Sequence, residues 1–127
     1  MVGGADIVGV DISGRHREDG AYLMVGAAVA ARVGSNRIDD ITGIGFGTSR
    51  REPTFENALA LTREAVGDLP NPPAGPIVAE HGEFYEEPPH AVGVSFDTEF
   101  KYVESIAERK TVEAAHFAAY AARKLLL

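Results

Sequence analysis

The carboxylates Asp11 and Glu80 have the sequence contexts best suited to chemistry. Asp11 interrupts an otherwise apolar, β-branched run near its C-terminal end, and Glu80 ends the apolar run at residues 76–79. Ligands of open α/β sheets gather outside the C-terminal ends of strands. If the two strands are parallel neighbours, the carboxylates lie side by side. Such oxygen-rich pairs hold Mg²⁺ or Mn²⁺, which can activate water against a phosphodiester.

Each of these carboxylates also has a purely structural interpretation. Asp11 fits an Asx-turn, in which its side chain accepts backbone N–H bonds from Ser13 or Gly14. Glu80 also fits the start of an acidic, solvated loop over residues 81–89. The sequence leaves both interpretations open.

Two places compete to supply a third metal ligand. Asp97 and Glu99 stand at the start of the last predicted helical region, where carboxylates also serve as ordinary helix caps. Glu113 and His116 are three residues apart and therefore share one helix face. Along a continuous helix, Glu99 and Glu113 would be ~21 Å apart at 1.5 Å per residue. These two carboxylates therefore cannot bind the same ion.

Other candidates carry weaker signals. Glu113 also fits an intrahelical pair with Lys110 or Arg109, and His116 fits a partly exposed surface position among alanines. The remaining histidines lack the regular spacing of a zinc site. Ser13 lacks the context of a nucleophile elbow. Four arginines could contact phosphate or simply be surface charges: Arg15, Arg17, Arg50 and Arg51.

The pattern of the chain predicts the elements that position these residues. Strands are expected at residues 6–13, 21–33, 38–48, 76–80 and 90–96. Helices are expected at 53–66 and 98–126, the second with a break near Lys110 as an alternative. Ser49 and Glu52 fit a capping box for the first helix. The order β-β-β-α-β-β-α predicts one α/β domain over residues 1–127, with a mixed sheet flanked by helices.

The apolar spacing also predicts which face of each element is buried. Glycines at alternate positions of the third strand indicate a close backbone approach on one face. The first helix should bury Phe55, Leu59, Thr62 and Val66. The last helix should bury the stripe Val103, Ile106, Ala107, Ala114, Phe117, Ala121 and Leu125.

Composition restricts the environment and the partners of the chain. The 127 residues include no cysteine, which excludes disulfides and thiolate sites and favours a reducing, cytoplasmic location. Neither a signal-like segment nor a membrane span is expected. The net charge of −7 disfavours nucleic acid unless metal ions or a local basic patch intervene.

Several short motifs together resemble the ribonuclease H-like superfamily. They are residues 8–14 (Val-Gly-Val-Asp-Ile-Ser-Gly), the three-strand meander, the helix after it, and residues 78–80 (Val-Ala-Glu). Residues 113–116 (Glu-Ala-Ala-His) look like the acidic signature of the Holliday-junction resolvase branch. Residues 10–15 look distantly like the first motif of type-two ribonuclease H. The overall pattern is similar to that of short archaeal proteins assigned to this fold.

The resemblance implies a role for each matching residue. Asp11 would be the first metal ligand, Glu80 the second, and Glu113, with His116, the third. Three departures are visible: type-two enzymes have a carboxylate where Ile12 stands, the loop before the fifth strand leaves no room for the usual helix, and the basic surface is absent.

Two functional hypotheses follow from these residues. The first is a divalent-metal-dependent nuclease, a phosphodiester hydrolase with Mg²⁺ or Mn²⁺ as cofactor and nucleic acid as partner. Its catalytic residues would be Asp11, Glu80, Glu113 and His116. The alternative is a catalytically inactive module that acts by protein association, as a homodimer formed through the apolar helix or an exposed sheet edge.

Overall fold

The computed structural model describes residues 4–127; the predicted domain, 1–127, includes three residues outside this range. Ten elements follow one another along the chain. They are β1 (Ala5–Ser13), β2 (Arg17–Glu18), β3 (Ala21–Tyr22), β4 (Met24–Val33), β5 (Ile38–Ser49), α1 (Phe55–Gly67), β6 (Ile77–Ala79), α2 (Pro89–Phe96), β7 (Phe100–Tyr102) and α3 (Ile106–Leu126).

Five of the strands form one mixed sheet in the order β5-β4-β1-β6-β7. β4 pairs antiparallel with both β1 and β5, whereas β6 is parallel to both β1 and β7. The short strands β2 and β3 form a separate hairpin. This sheet with its flanking helices confirms the predicted α/β class.

The helices cover the two faces of the sheet differently. Val8, Val10 and Ile12 of β1 belong to the core that also contains the buried residues of α1 and Val92 of α2. The intervening positions of β1 face α3, because successive side chains of a strand alternate between faces. Ile7, for example, packs with the buried residues of α3. Asp11 shares this parity and lies on the α3 face.

Gly9 allows α3 to lie very close to β1. A Cβ atom at Gly9 would lie 2.8 Å from the backbone carbonyl carbon and oxygen of Thr111 in α3. The glycines of β5 do the same for α1, since a Cβ at Gly45 would collide with the Ala65 carbonyl oxygen. The predicted close approach on the glycine face of this strand is therefore confirmed.

The prediction of a strand at residues 90–96 is wrong. This segment forms α2, which begins with Pro89 in its first turn and buries only Val92. The fifth strand is β7, which pairs in parallel with β6. A short apolar run does not distinguish a strand from a helix by its periodicity. The same finding corrects the expectation that no helix fits between the fourth and fifth strands.

Two helix starts also differ from the predictions. Thr54, not Ser49, is the N-cap of α1, and its hydroxyl accepts the Asn57 amide. The Ser49 hydroxyl accepts the Arg51 amide instead, at the end of β5. The last helix begins at Ile106 and not at residue 98, because β7 occupies residues 100–102; it then runs unbroken through Lys110.

The buried faces of both helices are rotated from the predicted stripes. In α1, Phe55 and Val66 are only partly buried, and Ala58, Leu61 and Ala65 are buried in addition to the predicted Leu59 and Thr62. In α3, the predicted Ile106, Phe117 and Leu125 are exposed. Its sheet-facing positions are Ala107, Glu108, Thr111, Val112, Ala115, Ala119 and Arg123.

Within residues 4–127, no helix is both long and apolar enough to cross a bilayer.

Candidate carboxylate site

Asp11 and Glu80 come together at one end of the sheet. Gly9 of β1 is paired with Val78 of β6 in parallel register. Asp11 lies two residues after Gly9, and Glu80 directly follows β6. The two strands are parallel neighbours as predicted, and the charge of Glu80 acts on Asp11.

α3 brings His116 to this carboxylate pair. Its Nδ1 atom lies 3.1 Å from Oδ2 of Asp11. The Asp11 side chain is only 14 % exposed, so this contact and not bulk water supplies much of its polar environment. Gly9 makes the contact geometrically feasible, because the close approach of α3 to β1 lies just before Asp11.

Arg109 joins the same helix to Glu80. Its Nη1 atom lies 2.9 Å from Oε2 of Glu80. Glu113 stands four residues after Arg109 and three before His116, so all three side chains share one flank of α3. Arg109 thus contacts Glu80 and not Glu113, contrary to the intrahelical pair considered above. Glu113 is exposed and lies between Arg109 and His116 on the helix. These two residues contact Glu80 and Asp11, which we call the carboxylate edge.

Asp97 and Glu99 lie at the other end of the sheet. Asp97 ends α2 in a left-handed conformation, with φ of 55°. The Glu99 carbonyl accepts the amide of Ile77, the first residue of β6. Glu80, by contrast, follows the last residue of that strand. Of the two places considered for a third ligand, only the one on α3 faces Asp11 and Glu80.

Glu83 is a member of this site that the sequence did not reveal. Its Oε2 atom accepts the backbone amide of Ile12 at 2.8 Å. Four residues earlier in β1, the amide of Val8 donates to a backbone carbonyl, that of Pro76 just before β6. Because β6 ends at Ala79, the Ile12 amide donates to the Glu83 side chain and not to a further residue of that strand. The only sequence signal is that the run before Glu80 is shorter than the run before Asp11.

Glu83 also fixes Arg15 next to the site. The guanidinium lies 3.1 Å from Glu83 Oε1 and donates to the Glu83 carbonyl at 2.6 Å. It stacks over the Tyr85 ring, 5.7 Å from the centroid. The Tyr85 hydroxyl donates in turn to the Pro53 carbonyl. Arg15 is therefore held from several sides, with a quarter of its side chain exposed.

The charges of these groups perturb one another. Burial raises the pKa of Asp11 above its ordinary value, the hydrogen bond and the charge of His116 oppose the rise, and the charge of Glu80 adds to it. Burial and the neighbouring Asp11 charge raise the pKa of Glu83 to about 7, against the opposing effect of Arg15. Buried carboxylates close to one another favour any added positive charge.

Each carboxylate of this edge except Glu113 is engaged by a basic side chain. Asp11 contacts His116, Glu80 contacts Arg109, and Glu83 contacts Arg15. In the part of the chain that the structure describes, no group of three or more histidine or acidic side chains has the spacing of a metal site.

The fold is similar to that of a solved ribonuclease. The crystal structure of the ribonuclease H2 from Pyrococcus horikoshii OT3 superimposes with a TM-score of 0.64, covering 94% of this chain and 72% of that chain. The sequence identity is 12%. The likeness establishes a ribonuclease H-like fold, as the short sequence motifs predicted.

Sequence comparison finds archaeal proteins similar to this chain. The chain is 25% identical over 118 residues to a protein of Methanocaldococcus jannaschii described as "Uncharacterized protein MJ0095", covering 93% of this chain and 94% of the relative. A family model described as "Uncharacterized protein conserved in archaea (DUF2209)" matches residues 8–127. The chain therefore belongs to this archaeal family.

Proposed function

We propose that the protein is a divalent-metal-dependent nuclease that cleaves a nucleic-acid phosphodiester at the edge formed by Asp11 and Glu80. One observation carries the proposal. Two carboxylates from neighbouring parallel strands meet under a helix that brings a histidine and a third carboxylate, in a fold shared with a ribonuclease H2. The fold alone does not specify an activity, so the argument depends on these side chains.

The donor chemistry fits a hard divalent cation. Asp11, Glu80 and Glu113 offer only carboxylate oxygens, which Mg²⁺ and Mn²⁺ prefer as ligands. The raised pKa of Asp11, caused by burial and in part by Glu80, indicates that negative charge is crowded there. Glu113 is exposed on the flank of α3 that also carries Arg109 and His116, the residues that contact Glu80 and Asp11.

Each residue of the site then has a definite task. Asp11 and Glu80 would hold the cation, with Glu113 as third ligand or as a base next to it. The bound cation would supply charge neutralisation at the phosphate and activation of water. His116 would orient Asp11 through their hydrogen bond and move a proton at its other ring nitrogen, Nε2.

Arg15 gives the site an attachment for phosphate. The surface as a whole is acidic, and a phosphodiester needs a local positive charge in order to approach. The Arg15 guanidinium is held by Glu83 and Tyr85 beside Asp11, and its charge acts on the Asp11 carboxylate. A fixed, planar guanidinium is well suited to phosphate oxygens. Arg15 would thus bind the substrate next to the reacting bond.

Thermal denaturation with and without millimolar Mn²⁺ tests the site. A ligand that binds only the native state increases the free energy of unfolding, by about 2.7 kcal/mol at a ligand concentration of a hundred times its Kd, and so raises the Tm. We expect a rise for the wild type that is absent in Asp11→Asn. Asp97→Asn is the matched control, since it makes the same chemical change at the other end of the sheet. Equal responses of wild type and Asp11→Asn would contradict the proposal.

Cleavage assays then address the reaction. Branched DNA, RNA–DNA hybrids and single strands should be incubated with Mg²⁺ or Mn²⁺ and the same three proteins together with Glu80→Gln. We expect at least one substrate to be cut by the wild type and by Asp97→Asn, and by neither Asp11→Asn nor Glu80→Gln. Cleavage that survives in Asp11→Asn would assign the activity to a different site or to a contaminant.

A second candidate function is protein association by a catalytically inactive module, and a surface favours it. The α3 face of β5 is exposed and apolar beside the alanine-rich flank of α3. The outer hydrogen-bonding edge of β5 is partly closed, since the Asp68 carboxylate accepts the Phe46 amide. The homodimer would therefore use the open face and not the edge. The exposed apolar residues are Ile41, Ile44, Phe46, Phe117 and Leu125.

Sedimentation equilibrium separates this candidate from a monomer. Association predicts a mass that rises with concentration in the wild type and returns to the monomer in Ile44→Asp. A monomer at every concentration removes the homodimer.

A further inference from the structure

Arg109 contacts the carboxylate edge through Glu80 but, as a basic residue, is not one of its metal-ligand candidates. It projects from the second turn of α3, on the flank that also carries Glu113 and His116. Its contact with Glu80 joins α3 to the loop that begins where β6 ends. The other Glu80 oxygen accepts the amide of His81 at 3.3 Å. Both carboxylate oxygens of Glu80 thus have protein partners.

The pair has the properties of a contact that can be replaced. The Arg109 side chain is 56 % exposed and that of Glu80 42 %. Ion pairs this accessible to water contribute little net stability, since water can replace either partner. A small, doubly charged cation therefore has both the access and the charge to compete with the guanidinium.

We propose that Arg109 is the built-in counter-ion of Glu80 and competes with the divalent cation for this carboxylate. The inference rests on the proposed function and adds a residue that sets the affinity of the site. Cation binding and the Arg109–Glu80 pair disfavour each other at Oε2, because a cation and a guanidinium on the same oxygen carry like charge and repel.

The same competition links the cation to the substrate. A guanidinium displaced from Glu80 stays at the edge of the site, because its helix is fixed against β1 at Gly9. There it is free to contact a phosphate oxygen, the other class of anion that arginine binds in planar geometry. Cation binding should thus strengthen phosphate binding, and phosphate should strengthen cation binding by the same factor.

Titration calorimetry with Mn²⁺ tests the competition directly. The proteins to compare are the wild type, Arg109→Gln and Arg63→Gln. Arg63 is an exposed residue of α1, on the opposite face of the sheet, so its variant has the same net charge as Arg109→Gln. We expect Arg109→Gln to bind Mn²⁺ about 1.4- to 5-fold more tightly than Arg63→Gln, the range that an exposed ion pair allows.

A second pair of variants isolates Glu80 as the residue concerned. In a Glu80→Gln background the guanidinium has no carboxylate to occupy, so adding Arg109→Gln should leave the Mn²⁺ affinity unchanged. A gain of the same size in both backgrounds would overturn the inference, because it would reflect only the lost positive charge.

The remaining outcomes are distinct from one another. Equal affinity of Arg109→Gln and Arg63→Gln overturns the competition and leaves the metal site standing. Weaker binding by Arg109→Gln than by Arg63→Gln overturns it as well, since Arg109 would then support the site. No binding heat from any of the proteins at millimolar Mn²⁺ contradicts the proposed nuclease, and the inference falls with it.

Discussion

The buried carboxyl of Glu83 should make the protein less stable as the pH rises from 5 to 8. Burial and the Asp11 charge raise the pKa of Glu83 from 4.5 to about 7 in the folded chain. Between these two values the folded state binds more protons than the unfolded state, so the free energy of unfolding falls with increasing pH. The stabilising effect is complete below pH 4.5 and lost above pH 7.

The size of the effect follows from the pKa change. One pKa unit corresponds to about 1.4 kcal/mol, so the full rise from 4.5 to about 7 amounts to about 3–4 kcal/mol, of which about 2–3 kcal/mol is lost between pH 5 and pH 8. The side chain is 10 % exposed, and screening by solvent is correspondingly small. For a domain of this length, each kcal/mol moves the Tm by roughly 3–5 °C, which gives a fall of about 10 °C.

Glu83→Gln removes the titration and keeps the shape. The amide oxygen can still accept the Ile12 amide, which maintains the end of β1. Glu86→Gln is the matched control, because Glu86 is an exposed carboxylate of the same loop. Thermal denaturation of the three proteins from pH 5 to pH 8, with a chelator present, gives the comparison.

The difference in Tm between wild type and Glu83→Gln should change by about 10 °C across this range, with the wild type losing stability. Using the difference cancels the titration of groups that do not interact with Glu83; the response of the neighbouring Asp11 is part of the expected change. The Glu86→Gln profile should run parallel to that of the wild type. Parallel profiles for Glu83→Gln and the wild type would show that Glu83 is ionised throughout, and would refute the buried, charge-crowded environment.

Two further predictions concern the packing and capping of α3. Gly9→Ala should lower the free energy of unfolding by about 1–3 kcal/mol in denaturant titration, because the new methyl group meets the Thr111 backbone; Gly67→Ala, where a Cβ meets no atom within 4 Å, should not destabilise. Ser105→Ala should cost about 1 kcal/mol in the same assay, since it removes the acceptor of the Glu108 amide. A fully stable Gly9→Ala would contradict the close approach, and an unchanged Ser105→Ala would contradict the cap.

The placement of Asp11 and Glu80 was predictable because it depends on two local patterns. Glu80 ends an apolar run of strand character, and Asp11 lies near the end of another. Two antiparallel reversals make β5 parallel to β1, and the α1 crossover then makes β6 parallel to both. Neighbouring parallel strands then bring their C-terminal ends to one edge. His116 was predictable as part of the last helix, but its contact with Asp11 depends on the glycine at position 9, whose role is evident only in the packed structure.

Glu83 was not predictable, because its environment is created by the end of another element. In the sequence it is one of several acidic residues in a loop, and only the shortness of β6 leaves the Ile12 amide without a strand partner. The length of a three-residue strand is set by the loop that follows and by the pairing with β7. The short apolar run before Glu80 is the one local signal of this length, and it does not indicate which side chain caps the free amide.

The buried face of α3 was mispredicted because the helix is rich in alanine and has apolar residues all round. Buried polar groups then decide its orientation. Arg123 is 6 % exposed and donates from Nε to the Leu23 carbonyl at 2.7 Å, and Thr111 is fully buried with its hydroxyl on the Ala107 carbonyl. Apolar periodicity assigns both residues to the surface, so the predicted stripe was turned toward Phe117.

This orientation of α3 controls the state of the carboxylate edge. The helix supplies the side-chain partners of both Asp11 and Glu80, and its distance from the sheet is fixed by Gly9. A shift of α3 would withdraw Glu113, the proposed third ligand, together with His116 and Arg109. Hence Gly9→Ala, which forces α3 away from β1, should weaken Mn²⁺ binding in titration calorimetry as well as lower stability. Unchanged Mn²⁺ affinity in a destabilised Gly9→Ala would show that the cation is held by Asp11 and Glu80 without a ligand from α3.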